Sequence, residues 1–217
     1  MSIFKLDPAF KDYIWGGTRL RDEYGKKCDY DKVAESWELS CHKDGPSVVA
    51  DGEYKGLTLN EYIEKAGKGV LGKNCERFEN FPILIKLIDA KDNLSVQVHP
   101  DNDYAMRVEG EYGKTEMWYV VDCDEGATLL YGFKHEITKE EFARRIADNT
   151  LLEVTNAVPV KKGDVFFIKS GTLMLSARVS LLLRYSRTQT LHTEFMTMAE
   201  LARTASLESF TLTRLLT

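Results

Sequence analysis

The sequence predicts a mainly β domain with a few short helices, on three observations. Leu94, Val96 and Val98 alternate with Ser95, Gln97 and His99 until Pro100 ends the run, which is the period of a half-buried strand. Thr115 to Val121 is dense in β-branched and aromatic residues, the types that fit a pleated, partly buried surface. The helix signals are short and separately capped: Thr58 with Glu61 opens a segment over 57–67, and Thr138 with Glu141 opens one over 140–147.

Taken in order, the chain begins with an arm ending in Y-I-W-G-G-T-R-L (Tyr13 to Leu20), where Gly16 and Gly17 suggest a turn beside Trp15. Val33 to Ser40 then reads as a strand with Glu35 and Trp37 on one face; left exposed, Glu35 would be an ordinary surface charge. Gly67 to Asn74 is one residue away from a phosphate-binding glycine loop. It follows a helix rather than a strand and ends in Asn74 where a hydroxyl is needed, so it reads as a helix exit and loop. Phe142 and Ile146, four apart, give the second helix a face to bury. Val160 to Ile168 reads as a turn into a strand.

The 217 residues suffice for one substantial core with at most a small appendage. A net charge of -5 provides no basic footprint, so neither nucleic acid nor a membrane surface is expected as a partner. Met1 to Phe10 lacks the pattern of a secretory signal and no apolar run reaches membrane-spanning length, which points to the cytoplasm. Cys28, Cys41, Cys75 and Cys123 are scattered and read as reduced thiols.

Chemistry concentrates in two runs, S-V-Q-V-H-P-D-N (Ser95 to Asn102) and G-K-T-E-M-W-Y (Gly113 to Tyr119). Alternation places Ser95, Gln97 and His99 on one face of the first strand, and Glu116, Trp118 and Val120 on one face of the second. Buried, such polar groups need partners, and a lone carboxylate on an apolar face needs a cation. If the two strands are neighbours in a barrel, Gln97, His99 and Glu116 present N and O ligands to one divalent ion. A structural role in hydrogen bonding remains open for each.

These runs, with F-P-I-L-I-K-L-I-D-A (Phe81 to Ala90) before them, resemble type I mannose-6-phosphate isomerase in its short bacterial form, over Met1 to about Leu173. The resemblance implies a cupin-type β-barrel, a jelly roll, and one zinc ion held by Gln97, His99 and Glu116. It also implies a sugar-phosphate substrate and the interconversion of mannose 6-phosphate and fructose 6-phosphate. The W-G-G run has a counterpart in the family, and the family places E-S-W near the sugar, so Trp15 and Glu35 are expected at the substrate, together with Ser95 from the strand face of Gln97 and His99. Lys114, on the same strand face as Glu116, is the candidate catalytic residue for substrate contact or proton handling; otherwise it is a solvated strand-end charge.

The resemblance weakens at the second cupin motif. Gly163 and Gly171 match their places, but Lys169 stands for the pattern's Pro and Met174 for its metal-binding His. From Met174 onward the composition changes: 24 basic and 31 acidic residues precede it, 5 and 3 follow, and all 18 Lys and all 15 Gly lie before it. Back-translated into another frame with free codon choice, 174–217 contains Ala-Glu-Ile-Gln-Gln-Asn-Ser and Thr-Tyr-Arg-Ile-Tyr-Asp-Tyr-Gly-Arg, as the family continues. The reading is therefore an isomerase domain over 1–173 and an anomalous, frameshifted tail over 174–217. It leaves out the fourth ligand, an Arg at the sugar and a second β domain, leaves the last barrel strands unpaired, and impairs activity. The competing readings are a non-catalytic sugar-phosphate-binding or regulatory module and another metal-dependent cupin such as a dioxygenase. The latter usually needs two or more His, and here only His99 is well placed.

Overall fold

In a computed structural model of the chain, residues 3–92, 94, 96–108, 113–177 and 181–187 are described. Two antiparallel sheets face each other. The six-stranded sheet is built from β2 (Ala9–Lys11), β3 (Glu35–Leu39), β5 (Ile83–Ile88), β7 (Glu116–Asp122), β10 (Val165–Ile168) and β12 (Leu181–Arg187), in the order β10-β7-β12-β5-β3-β2. The four-stranded sheet runs β6-β11-β8-β9, from β6 (Gln97–Val98), β8 (Thr128–Phe133), β9 (Thr155–Pro159) and β11 (Leu173–Ala177). A short pair, β1 (Leu6–Asp7) with β4 (Val48–Val49), stands apart. The mainly β, cupin-type class is therefore the observed one.

Alternation divides the apolar residues among three clusters. Between the sheets lie Ile88, Trp118, Val120, Leu129, Ile168, Met174 and Leu182. The outer face of the smaller sheet, Val96, Leu173 and Leu175, is covered by Phe142 from α4 (Lys139–Ala147). On the larger sheet, Leu87, Val121 and Leu181 pack on Leu20 of α1 (Arg19–Asp22) and on Val33. At roughly 25 cal/mol per Å² of apolar surface, a fully buried Leu or Val in these clusters contributes about 1.5–3 kcal/mol.

Both capped helices form. Over α2 (Leu59–Ala66), Thr58 accepts from the Glu61 backbone N–H and Glu61 returns to the Thr58 N–H, a complete capping box. At α4 only half of it is made: Thr138 accepts from the Glu141 N–H, while the Glu141 carboxylate accepts from Arg145 Nε at 3.0 Å. Short 3₁₀ turns over Lys68–Leu71 and Lys73–Cys75 occupy the expected loop, and α3 (Asn102–Val108) and α5 (Leu151–Val154) complete the helices described. Gly16 and Gly17 lie close to the chain rather than in left-handed turns. A Cβ at Gly16 would meet the Ala34 Cβ at 2.5 Å, and one at Gly17 the Asp89 carboxylate at 2.5 Å.

Two expectations need correction. The strands of Gln97 and Glu116 are not neighbours: β6 pairs with β11 and β7 with β10 and β12, so the two runs meet across the core. Nor do the strands end in unpaired edges at residue 173. β11 spans that position, and β12 lies inside the large sheet, hydrogen-bonded to both β5 and β7. Leu181 and Leu182, on either side of a register shift, are both fully buried, the first in the cluster of Leu20 and the second between the sheets, as in a strand covered on both faces. Residues 188–217 lie outside the described residues.

Candidate active site

Glu116 opens β7 with its side chain on the inner face, 1% exposed, and Trp118 follows on that face. The indole Nε1 of Trp118 donates to Glu116 Oε2 at 2.8 Å. From the facing sheet, His99 comes just past β6 and is held in place by its carbonyl, which accepts from the Gly171 N–H at 2.8 Å. Its Nε2 lies 3.4 Å from Glu116 Oε1, without hydrogen-bond geometry. Lys114 Nζ stands 3.1 Å from that same oxygen, and Arg184 Nε of β12 stands 3.4 Å from Oε2.

A second acidic pair lies farther across the same face. Trp37, Lys86, Arg184 and Trp118 are successive partners across β3, β5, β12 and β7, so indole, ammonium, guanidinium and indole form one row. Lys86 Nζ lies 5.2 Å from the Trp37 ring centre and the Arg184 guanidinium 4.6 Å from that of Trp118, both within cation–π range. Lys86 also reaches Glu35, 3.1 Å from Oε1 and 3.0 Å from Oε2, while the Trp37 indole donates to Glu35 Oε2 at 2.6 Å.

Burial pulls Glu116, Glu35, Lys86 and His99 toward neutrality, and the neighbours decide the outcome. It pushes both carboxyls up, yet Arg184 and Lys114 hold Glu116 well below the ordinary range, and Lys86 and Arg184 hold Glu35 below it. Burial pushes Lys86 down to about 8 despite Glu35. It also lowers His99, with Lys114 and Arg184 lowering it further against the pull of Glu116, so the imidazole is neutral and carries a free lone pair.

Hydrogen-bond accounting then singles out the centre. Among the described residues, six buried side-chain atoms lack a hydrogen-bond partner, and five of them gather here: both His99 nitrogens, Glu116 Oε1, Arg184 Nε and the Oγ of Ser186, which pairs with Glu116 in register. Glu116 Oε1 and Arg184 Nε have their ion pairs with Lys114 and Glu116 Oε2; each atom left without any partner costs about 1–3 kcal/mol. Two ligands on a tetrahedral zinc ion stand about 3.4 Å apart, the separation of His99 Nε2 and Glu116 Oε1. A neutral imidazole and an ionised carboxylate suit such an ion, so these residues fit the group. Gln97 is directly opposite Met174 in the β6–β11 register, and Met174 packs in the cluster of Trp118, so Gln97 lies on the face turned to the centre.

The structure thus brings His99, Glu116 and Lys114 together, with Gln97 on the adjoining face. Lys114 is 2% exposed rather than a solvated strand-end charge. Glu35 is buried and already held by Lys86 and Trp37; Trp15 packs against the core cluster that contains Trp118 and Met174. Ser95 lies outside the described residues. Sequence reasoning missed Lys86 and Arg184. Lys86 had a signal, being a lone charge in the alternating run Ile83–Ile88; Arg184 was set aside with the tail.

Fold and site together define a cupin-type domain with its polar centre between the two sheets. The chain belongs to the type I phosphomannose isomerase family, since residues 3–127 match that family's catalytic domain. It is 45% identical over 165 residues to the mannose-6-phosphate isomerase of Streptococcus mutans, covering 74% of this chain and 49% of that one. It is 42% identical over 167 residues to the mannose-6-phosphate isomerase ManA of Bacillus subtilis, covering 76% and 51%. A crystal structure of the mannose 6-phosphate isomerase from Bacillus subtilis superposes with a TM-score of 0.80 at 39% identity, covering 86% of this chain and 59% of that one. The chain spans about half the length of these curated relatives.

Proposed function

We propose that this chain carries the catalytic centre of a zinc-dependent aldose–ketose isomerase that interconverts mannose 6-phosphate and fructose 6-phosphate. The observation behind the proposal is the buried pair of His99 Nε2 and Glu116 Oε1 at 3.4 Å, neither of which has a hydrogen bond. Gln97, His99 and Glu116 would hold the ion. When bound, it would supply a Lewis acid for the sugar oxygens at C1 and C2. Lys114 contacts the substrate or handles the proton that moves between those carbons, from a position 3.1 Å from Glu116 Oε1. Arg184 and Lys86 add positive charge to the same face, where an enediolate oxygen would be stabilised.

Met174, 1% exposed and opposite Gln97, stands at the position expected for a fourth ligand. Thioether is a poor replacement for imidazole on zinc, so this chain binds the ion more weakly than a four-ligand site and turns over slowly. The same residue favours one second reading, a domain that binds sugar phosphate without isomerising it. A coupled assay with mannose 6-phosphate, run on metal-free protein with and without added zinc, tests both. Zinc-dependent turnover below that of the Streptococcus mutans relative supports the isomerase. Saturable binding with no turnover supports the second reading, and activity equal to that relative refutes the impairment.

A further inference from the structure

The inner face of the large sheet carries two Glu-x-Trp pairs that differ in one respect. In each, strand alternation sets the indole beside the carboxylate two residues earlier, and its N–H donates to Oε2: Trp37 to Glu35 at 2.6 Å, Trp118 to Glu116 at 2.8 Å. The Glu35 pair is closed, because Lys86 also takes up both carboxylate oxygens. Glu116 is ion-paired as well, with Lys114 Nζ 3.1 Å from Oε1 and Arg184 Nε 3.4 Å from Oε2, but its Oε1 has no hydrogen bond and faces His99 Nε2. The carboxylate torsion is intrinsically broad. Without the indole N–H, Glu116 could turn either oxygen, or both, toward an ion.

We propose that Trp118 is a positioning residue: its indole N–H holds Glu116 Oε2 aside, so that Oε1 alone is presented beside His99 as a metal ligand. The indole is itself fixed, 1% exposed in the central core cluster with the Arg184 guanidinium over its ring. This rests on the zinc reading above and specifies how one of its ligands is aimed. Partners of this kind, one bond removed from the ion, typically change metal affinity about 10–100-fold when lost.

The test is zinc affinity of the metal-free full chain, measured by competition with a chromophoric chelator. Trp118→Phe keeps an aromatic ring and removes the N–H; it should weaken zinc binding about 10–100-fold and alter the visible spectrum of the cobalt-loaded protein. Val120→Ala, a cavity in the same core cluster, should lower the melting temperature and leave zinc affinity unchanged. Affinity within twofold of wild type in Trp118→Phe, or an equal loss in Val120→Ala, overturns the proposal. A wild-type chain that takes up no zinc overturns it together with the metal reading. A second measurement needs no variant: the Trp118 indole proton should stay at a hydrogen-bonded NMR shift when zinc is added, and its release on loading overturns the proposal.

Discussion

Replacing Lys86 by Met separates a buried ion pair from the rest of the site and can be worked through in numbers. Lys86 and Glu35 are 2% and 5% exposed, and the ammonium lies 3.0 Å from the nearer carboxylate oxygen. Met keeps most of the side-chain length and removes the charge, leaving Glu35 buried with the Trp37 indole as its hydrogen-bond donor. Removing one partner of a buried pair costs about 3–5 kcal/mol. Arg184, which also lowers Glu35, places the expected loss near the lower end, about 3 kcal/mol, or about 6–12 °C in melting temperature for a chain of this size. Adding Glu35→Gln removes the stranded charge, so the double variant should recover at least about 1 kcal/mol over the single one.

The pH dependence fixes the sign. In the wild type the folded Glu35 carboxyl lies below its ordinary value, so its contribution is present at neutral pH and is lost as pH falls below about 4.5. In Lys86→Met burial remains while its largest opponent is gone, so the carboxyl moves up. The variant therefore gains on wild type as pH falls from 7 to 5. On the alkaline side the lowered Lys86, at about 8 against 10.5, makes wild-type stability rise across that window, a rise the variant lacks. Urea unfolding at several pH values reads both effects. A loss under about 1 kcal/mol, or a gap that widens between pH 7 and 5, would refute the assignment of a compensated buried pair.

Three further outcomes are expected. Gly16→Ala should lower the melting temperature clearly, because its Cβ would fall 2.5 Å from that of Ala34 and 2.6 Å from the Ala34 Cα, in buried backbone that has little room to shift; an unchanged melt would show the approach to be soft. Thr58→Ala should cost about 1 kcal/mol in urea unfolding by removing the capping box of α2, and a loss under a few tenths would show that α2 is held by packing alone. For the tail, we propose that residues 174–217 follow a one-base change of frame. The nucleotide sequence across the codons for Thr172 to Ala177 should show that base missing from an open isomerase frame, and an intact frame encoding Met174 would remove the idea.

How much of this was legible depended on whether a residue's role is set along the strand or across the sheet. Alternation along one strand placed Gln97 with His99 and Glu116 with Trp118, and the first-turn signal placed Thr58 at its cap. Pairing between strands was out of reach: nothing local shows that β6 and β7 face each other instead of lying side by side, or that Lys86 stands between Trp37 and Arg184. Glu35 illustrates the cost. On its own strand it could be a surface charge or a ligand for sugar, and only the long-range contact with Lys86 shows it to be buried and compensated.

The same cross-strand view explains why the centre can be polar at all. Two buried carboxylates, Glu35 and Glu116, are outnumbered by three buried cations, Lys86, Lys114 and Arg184, leaving a formal excess of one positive charge among groups that are each at most 5% exposed. A bare cluster of that kind is costly, since each unpaired charge loses solvation that the interior does not return. An anionic ligand repays it, and an added divalent cation makes that demand stronger. The charge balance of the inner sheet face therefore suits an anionic group better than a neutral one.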